Sequence, residues 1–427
     1  MKKILMIIIS LFLCLAIACK KDDSEIENKL ENSKTINNNF EGVNTKRLNS
    51  INTKLVTIYP KKTYLDNIYK FTDDFTNLLV DNANNNFVYS PFNIYVYLSA
   101  IREATSGQTK EELSNVLGTE EELKTYLQYL ISDINYSQDS TLMKMSNGFW
   151  FNNKYEVVDD FLNIMQNYYY TEVFSTDFSD SSKEFMANWL NNNTNNMFKV
   201  TSNNYSYLNS SSQIAYICSL YVKASWINTF NEHNNYIDIF KDYDNNEYET
   251  AFMKKTEKTF YKETSDYEKV KISLTKGSVE FVLPKNDLKV NQLFKDDNLY
   301  DILNNKYDDT DEAIVNFAMP KLDYQYSLSL NDYLEILGVH SIFSEENELN
   351  FINGTNYKFS DLIEANGIIF NEEGVEAASY VEETVAAMPP SEITEVRIVD
   401  FILNKPFIFI IRSNYNVPLY VGMIVKM

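Results

Sequence analysis

The sequence predicts an α+β fold, in one large domain or two or three smaller ones by length, on three observations. Apolar residues recur near a 3.6 period through the first half. From residue 213 on the texture turns to short β-rich runs. Helices come first and strands later, with neither βαβ alternation nor an internal repeat, which indicates an α+β fold.

Taken in order, "TYLDNIYKFTDDFTNLLVDN" places Leu65, Ile68, Tyr69, Phe75, Leu78 and Leu79 on one helical face. The break at "NANNN" precedes a short apolar run, "FVYSP", and a second helix in "FNIYVYLSAIREAT". "TKEELSNVLG" reads as a third helix, capped by Thr109 and stopped at Gly118. "VVDDFLNIMQNYYY" and "KEFMANWLNNNTNNMF" supply two more. Strands follow in "QIAYICSLYVKASW", "KTFYKET", "YEKVKISLT", "SVEFVLP" and "EAIVNFAMPKLDYQYS". After a last helix, "LNDYLEILGV", the chain closes on "EVRIVDFI", "PFIFIIRS" and "PLYVGMIVK".

The first residues are not part of that domain. "MKKILMIIISLFLCLAIAC" has a basic start, an apolar run and small residues before Cys19, the pattern of a secretory signal over 1–18. Ala16-Ile17-Ala18-Cys19 resembles the bacterial lipoprotein box, which makes Cys19 the expected lipid attachment site. Residues 19–61 are polar and rich in Asn, Lys, Glu and Ser; they read as a flexible tether, with the folded domain over 62–427. The expected location is outside the cytoplasmic membrane, in the periplasm or at the cell surface, with the lipid as the sole membrane contact.

Composition narrows the function. Formal charge is −22, so nucleic acid is a poor partner. Besides Cys14 in the signal and Cys19, only Cys218 remains, so no disulfide can form within one mature chain. The 31 tyrosines and 27 phenylalanines provide the apolar area that must hold the core instead. The two histidines, His233 and His340, stand apart, and no HExxH, GxSxG, CxxC, P-loop or GxGxxG motif occurs. No enzyme, metal site or cofactor is expected, and a monomer is.

One segment fits none of these elements: "FNEEGVEAASYVEETVAAMPPSE", residues 370–392. It acquires a meaning from the motifs around it. "NFVYSPFNI", "EATSGQTKEEL", "SNGFWF", "WLNNNT", "LYVKASWINTF", "FVLPKNDL", "MPKLDYQYSLSLNDYLEILGVHSIFS" and "NKPFIFIIR" resemble, in order and spacing, sequence elements of the serpins. The resemblance covers about residues 62–427. It implies helices around a large mixed central β-sheet with further sheets, and an exposed reactive-centre loop. It also implies inhibition of a serine, or possibly cysteine, protease as a suicide substrate. In that mechanism the cleaved loop enters the central sheet as a new strand and traps the acyl-protease.

"EEGVEAAS" is similar to the family's hinge, which assigns that role to Glu372, Glu373, Gly374, Val375, Glu376, Ala377, Ala378 and Ser379. Independently of any family, a segment that becomes a central strand needs alternation with one buriable face. Val375, Ala377, Ser379 and Val381 alternate with Glu376, Tyr380 and Glu382; Ala378 is neutral to the pattern. Fourteen residues beyond Gly374 the family count reaches Met388, followed by Pro389. Proline hinders cleavage of the bond before it, so Ala387-Met388 is the expected reactive bond and Met388-Pro389 the second choice. The small residues before it suit an elastase-like or subtilisin-like protease.

Ser90, Pro91, Cys218, Glu364 and Trp226 fall where the resemblance places the sheet-opening region. Two depart from the family: Cys218 stands where asparagine is usual, and Glu364 where histidine is. Val375 replaces a threonine. Glu383 would face the interior on full insertion, a conflict for an unpaired charge. A non-inhibitory surface lipoprotein, acting as adhesin or carrier on the same scaffold, is the alternative reading.

Overall fold

The computed structural model describes residues 43–45, 62–81, 85–119, 122–138, 141–286, 288–294, 298–344, 348–350, 362–375 and 397–427. The signal, Cys19, hinge residues Glu376 to Ser379, and the reactive-bond residues Ala387, Met388 and Pro389 lie outside them.

Helix α1 (Lys62–Asp81) buries Ile68, Phe71, Phe75 and Leu79. Helix α2 (Pro91–Arg102) is buried on every side. Its start is fixed locally: Ser90 Oγ accepts from Asn93 N at 3.1 Å, and Pro91 occupies the first helical position, where its missing N–H costs nothing. Helix α3 (Gly107–Leu117) begins three residues earlier than a Thr109 cap implies, so Thr109 lies inside it rather than capping it. A distant carboxylate does the capping: Glu348 accepts from Thr109 N at 3.3 Å. Gly118 ends the helix at φ 93, a conformation that glycine adopts without strain. Helix α4 (Leu123–Ile134) was not anticipated. Helices α5 (Asp159–Tyr168), α6 (Asp180–Asn193), α7 (Asn298–Asn304) and α8 (Asn331–Ile336) complete the described set.

Two sheets organise the rest. The first contains β1 (Val43–Thr45), β5 (Thr171–Thr176), β4 (Thr141–Asn152), β6 (Ile214–Ser225), β14 (Gly374–Val375), β13 (Ile363–Phe370) and β12 (Leu322–Ser329), in that spatial order, with β3 (Tyr136–Gln138) on β4. Strands β3, β4 and β5 precede residue 213, so strands are less confined to the second half than the pattern suggested. Val43–Thr45, within the segment read as tether, pairs antiparallel with Phe174–Thr176 at the sheet edge.

The second sheet runs β15 (Ile398–Ile402), β11 (Glu312–Pro320), β8 (Glu247–Glu263), β9 (Tyr267–Ser273), β10 (Ser278–Pro284), β16 (Phe407–Arg412), β17 (Pro418–Ile424) and β2 (Phe87–Tyr89), with β7 (Tyr236–Lys241) on β8. Where the sheets meet, rings interlock. Phe370 of β13 lies 5.8 Å from Phe281 and 5.1 Å from Phe409, centroid to centroid. Phe281 in turn meets Phe317 at 5.2 Å. Such aromatic burial supplies the cohesion that a chain without disulfides requires.

Candidate functional site: the seam of the central sheet

Strand β14 is two residues long and lies between two full strands. Gly374 is opposite Ser225, and Val375 is opposite both Ala224 of β6 and Phe370 of β13. Both pairings are antiparallel, so β6 and β13 run parallel to each other. Among the described residues they are joined in the sheet only through β14. The hinge therefore starts a strand exactly one strand wide between two potential partners, and then leaves the described residues.

A tight turn delivers it there. Asn371 Oδ1 accepts from Glu373 N at 3.0 Å and Gly374 N at 3.1 Å, while Asn371 N donates to Gly374 O at 3.1 Å. Three further bonds pin the turn to the chain after β6. Trp226 N donates to Glu373 O and Trp226 Nε1 to Asn371 O, each at 2.9 Å, and Phe230 N donates to Glu372 O at 2.9 Å. Trp226 thus belongs to this hinge cluster and not to the group around Cys218 with which the sequence placed it. The indole stacks on Phe370 at 6.0 Å.

Glu372 is 6% exposed and is held by the Lys321 ammonium and the Asn235 side-chain amide. Burial raises its carboxyl, but Lys321 and Asn235 outweigh it and leave the group below its ordinary range. Gly374 is required for space, not for unusual dihedrals: a Cβ there would sit 2.2 Å from the Ala224 carbonyl oxygen.

Six residues further along the two strands, a second cluster forms. Extending the parallel alignment from Ala224 and Phe370 puts Cys218 level with Glu364. Glu364, 6% exposed, accepts from Asn366 Nδ2 at 2.9 Å and from Ser90 N and Asn93 Nδ2 at 3.4 Å each. Burial pushes its carboxyl up to about 7 against those three donors. Cys218 is half-buried, and desolvation raises its thiol as well. Ser90, Pro91, Cys218 and Glu364 therefore lie together, about a strand's length from the hinge.

The chain after α6 crosses the seam. Asn195, Asn196 and Lys199 take left-handed φ values of 51, 59 and 49, turning the backbone over the sheet. Asn195 Nδ2 donates to Tyr221 OH on the β6 side at 3.1 Å, and Gln325 Nε2 of β12 donates to Met197 O at 3.3 Å. Met197 and Phe198 cover Gly367 of β13, where a Cβ would lie 2.8 Å from Met197 Sδ. They line a cavity of about 10 Å3 with Val375, Ile411 and Tyr420. The sequence pattern carries the helix of "KEFMANWLNNNTNNMF" through Phe198, but α6 ends at Asn193, and the left-handed Asn195 and Asn196 turn the rest into this strap. Both histidines are exposed, His233 in the turn just before Asn235, and no group of three potential metal ligands occurs among the described residues.

Comparison with known proteins agrees with this geometry. The profile of the family described as Serpin (serine protease inhibitor) matches residues 66–427. An uncharacterized serpin-like protein of Thermococcus kodakarensis is 26% identical over 362 residues, 82% of each chain. Human neuroserpin is 23% identical over 359 residues, covering 79% of this chain and 85% of its own. Among solved structures, the thermophilic serpin tengpin in its native state has a TM-score of 0.72 at 22% identity, covering 87% of this chain and 96% of tengpin. Tengpin in its latent state gives 0.71 at 21%, with 87% and 100% covered. The family is one of protease inhibitors rather than enzymes, and this chain belongs to the serpins.

Proposed function

We propose that this serpin is an inhibitor that traps serine proteases, probing with its loop as substrate and then inserting that loop between β6 and β13. The observation that carries this reading is the seating of Gly374–Val375 in register with both strands. Continued in the same register, Ala377 would lie level with Val222 and Ile368, Ser379 with Leu220 and Asn366, and Val381 with Cys218 and Glu364. Each would share the core-facing side of Val375. Ala378, on the opposite side, would pass level with Tyr221 and Gly367, beneath Met197 and Phe198. A small residue is what that position needs. With about a dozen new ladder hydrogen bonds at ~1 kcal/mol net each, insertion would release on the order of 10 kcal/mol. That is comparable to a domain's whole stability, enough to make the step one-way.

Glu383, the one residue at odds with burial, would arrive level with Tyr216 and Leu362. The buried Tyr216 hydroxyl lies against the Cys218 and Thr171 side chains, and turned toward Glu383 it could donate to that carboxylate. This favours inhibition over a carrier or adhesin built on the same scaffold. The target is an elastase-like or subtilisin-like protease cutting Ala387-Met388, with Met388-Pro389 second. The protein is held at a membrane by lipid on Cys19 and faces outward from the cytoplasm.

Mixing the protein with an elastase-like protease tests the reading. A complex that survives denaturing electrophoresis and a released peptide starting at Met388 support it. Clean cleavage with no complex supports the scaffold reading instead, and a peptide starting at Ile398 overturns the assigned bond.

A further inference from the structure

The Glu364 carboxyl has partners for both of its protonation states. As a carboxylate it accepts from Ser90 N and Asn93 Nδ2, in the first turn of α2, and from Asn366 Nδ2 of its own strand. As a neutral acid it needs an acceptor, which the Asn93 amide supplies by turning over, so that Oδ1 takes the place Nδ2 now holds. Asn93 Oδ1, on the very amide that bonds Glu364, is buried with no partner among the described residues. A buried orphan acceptor beside a buried acid costs free energy until a proton joins them.

Nothing charged compensates the ionised form. From β6 the Cys218 thiol faces it, and the Tyr97 phenol of α2 lies beside that thiol. From β2 comes the Tyr89 phenol, whose hydroxyl donates to Thr72 O of α1; buried Asp73 of α1 is close enough to act on Tyr89. Its own strand offers Asn366, and the residue opposite on β12 is Leu328. No lysine, arginine or histidine is among these.

We infer that Glu364 is a proton-controlled clamp on the seam: neutral, it ties β13 to the start of α2, and ionised, it favours the parting of β6 from β13. Its place in the fold makes the link mechanical. Glu364 stands on one wall of the seam, level with Cys218 on the other, and widening the seam is what lets water reach it. The inference rests on strand insertion between β6 and β13 being the working step.

The sign follows from linkage. A carboxyl whose value in the closed state, about 7, exceeds its ordinary 4.5 stabilises that state fully below 4.5 and loses the contribution as pH rises through 7. If the wetted carboxyl returns to its ordinary value, opening becomes up to about tenfold more favourable between pH 6 and pH 8. The Cys218 thiol and the two phenols, all raised by burial, add little over that interval.

The test compares the full chain with Glu364→Gln at pH 6 and pH 8, using a synthetic peptide with the sequence of residues 374–386 as the inserting strand. Wild-type incorporation, followed by native gel mobility, should quicken by up to about tenfold at pH 8. Its thermal midpoint before peptide addition should fall by about 2 °C. The Gln variant should behave alike at both pH values, near the wild-type rate at pH 6. A Gln variant that keeps the wild-type pH dependence, or a wild type that shows none, overturns the clamp. If Gln does not fold, Glu364→Leu takes its place with the same two readouts. Failure of the peptide to enter at either pH would count against strand insertion, while the midpoints of the two proteins still decide the clamp.

Discussion

Replacing Gly374 by alanine tests the seam at its narrowest point. The added Cβ would meet Ala224 O at 2.2 Å, Ser225 Cα at 2.7 Å and Ala224 C at 3.0 Å, all main-chain atoms of a central strand. They cannot rotate aside as a side chain could, so β14 must move by roughly 1 Å to restore ordinary contact distances. Such a shift breaks or stretches the bonds that depend on its position, among them Trp226 N to Glu373 O and Asn371 N to Gly374 O. Two bonds at about 1 kcal/mol each give about 2 kcal/mol. The protein should remain folded, because only two residues of the sheet are displaced. If the same ~2 kcal/mol appears in the barrier to insertion, trapping slows about thirtyfold relative to hydrolysis of the acyl-enzyme. The assay counts moles of inhibitor consumed per mole of protease trapped, with the cleaved inhibitor and the stable complex resolved on one denaturing gel. The ratio should rise steeply in the variant. Trapping by Gly374→Ala with wild-type efficiency would refute the register from which every later row is reckoned.

Other outcomes follow from the same geometry. Lys321→Met removes the cation from Glu372; because the lysine side chain is 41% exposed, the loss should be about 1 kcal/mol, read as a lower thermal midpoint at pH 7. The Glu372 carboxyl is held below its ordinary value, so its contribution is present above about 4.5 and lost as pH falls through the lowered one; the difference between the two proteins should vanish in acid. Ala378→Trp would bring an indole beneath Met197 and Phe198 and should convert inhibitor to substrate without altering the uncleaved protein's stability, checked by the same gel and by thermal unfolding. Cys19→Ser should move the protein from the membrane to the soluble fraction; retention on the membrane would exclude lipid anchoring.

Helices such as α1 and α5 are legible from one apolar face, whereas α2, β10, β16 and β17, buried on every side, are legible as nearly unbroken apolar runs. What escaped did so for identifiable reasons. Strand β4, "TLMKMSNGFWFN", breaks its apolar residues with Lys144, Ser146, Asn147 and Gly148, so it shows neither a sustained alternation nor a continuous apolar run. It entered the sequence reading only through the resemblance of "SNGFWF". Strand β13, "IEANGIIF", carries Glu, Asn and Gly, all poor strand formers, and two of its buried positions are Glu364 and Asn366. Helix α4 did carry a readable stripe in Leu123, Tyr126, Leu127, Leu130, Ile131 and Ile134. Thr109 was misread because α3 is capped from 239 residues away by Glu348, a tertiary contact that no local rule can supply. The motifs group Trp226 with Cys218; in the structure seven residues of β6, Ser219 to Ser225, separate the two.

That separation divides the work along the seam. Near the hinge, Lys321, Asn235 and the Trp226 backbone fix the position of β14, and they need not change when a strand is extended from it. Near Cys218 the demand changes during insertion. While the seam is parting, water favours an ionised Glu364; once a strand such as one bearing Val381 fills that row, water is expelled and the carboxyl must again be neutral or bonded. Glu383, one row further, would add a second acid about 7–8 Å away diagonally, and two carboxylates so placed in a dry site do not both ionise readily. Higher pH should therefore speed the opening of the seam yet weaken the last rows of the inserted strand. A complex made at pH 8 should form faster than one made at pH 6 and release active protease sooner. Equal release at both pH values would mean that insertion ends before the row of Glu364.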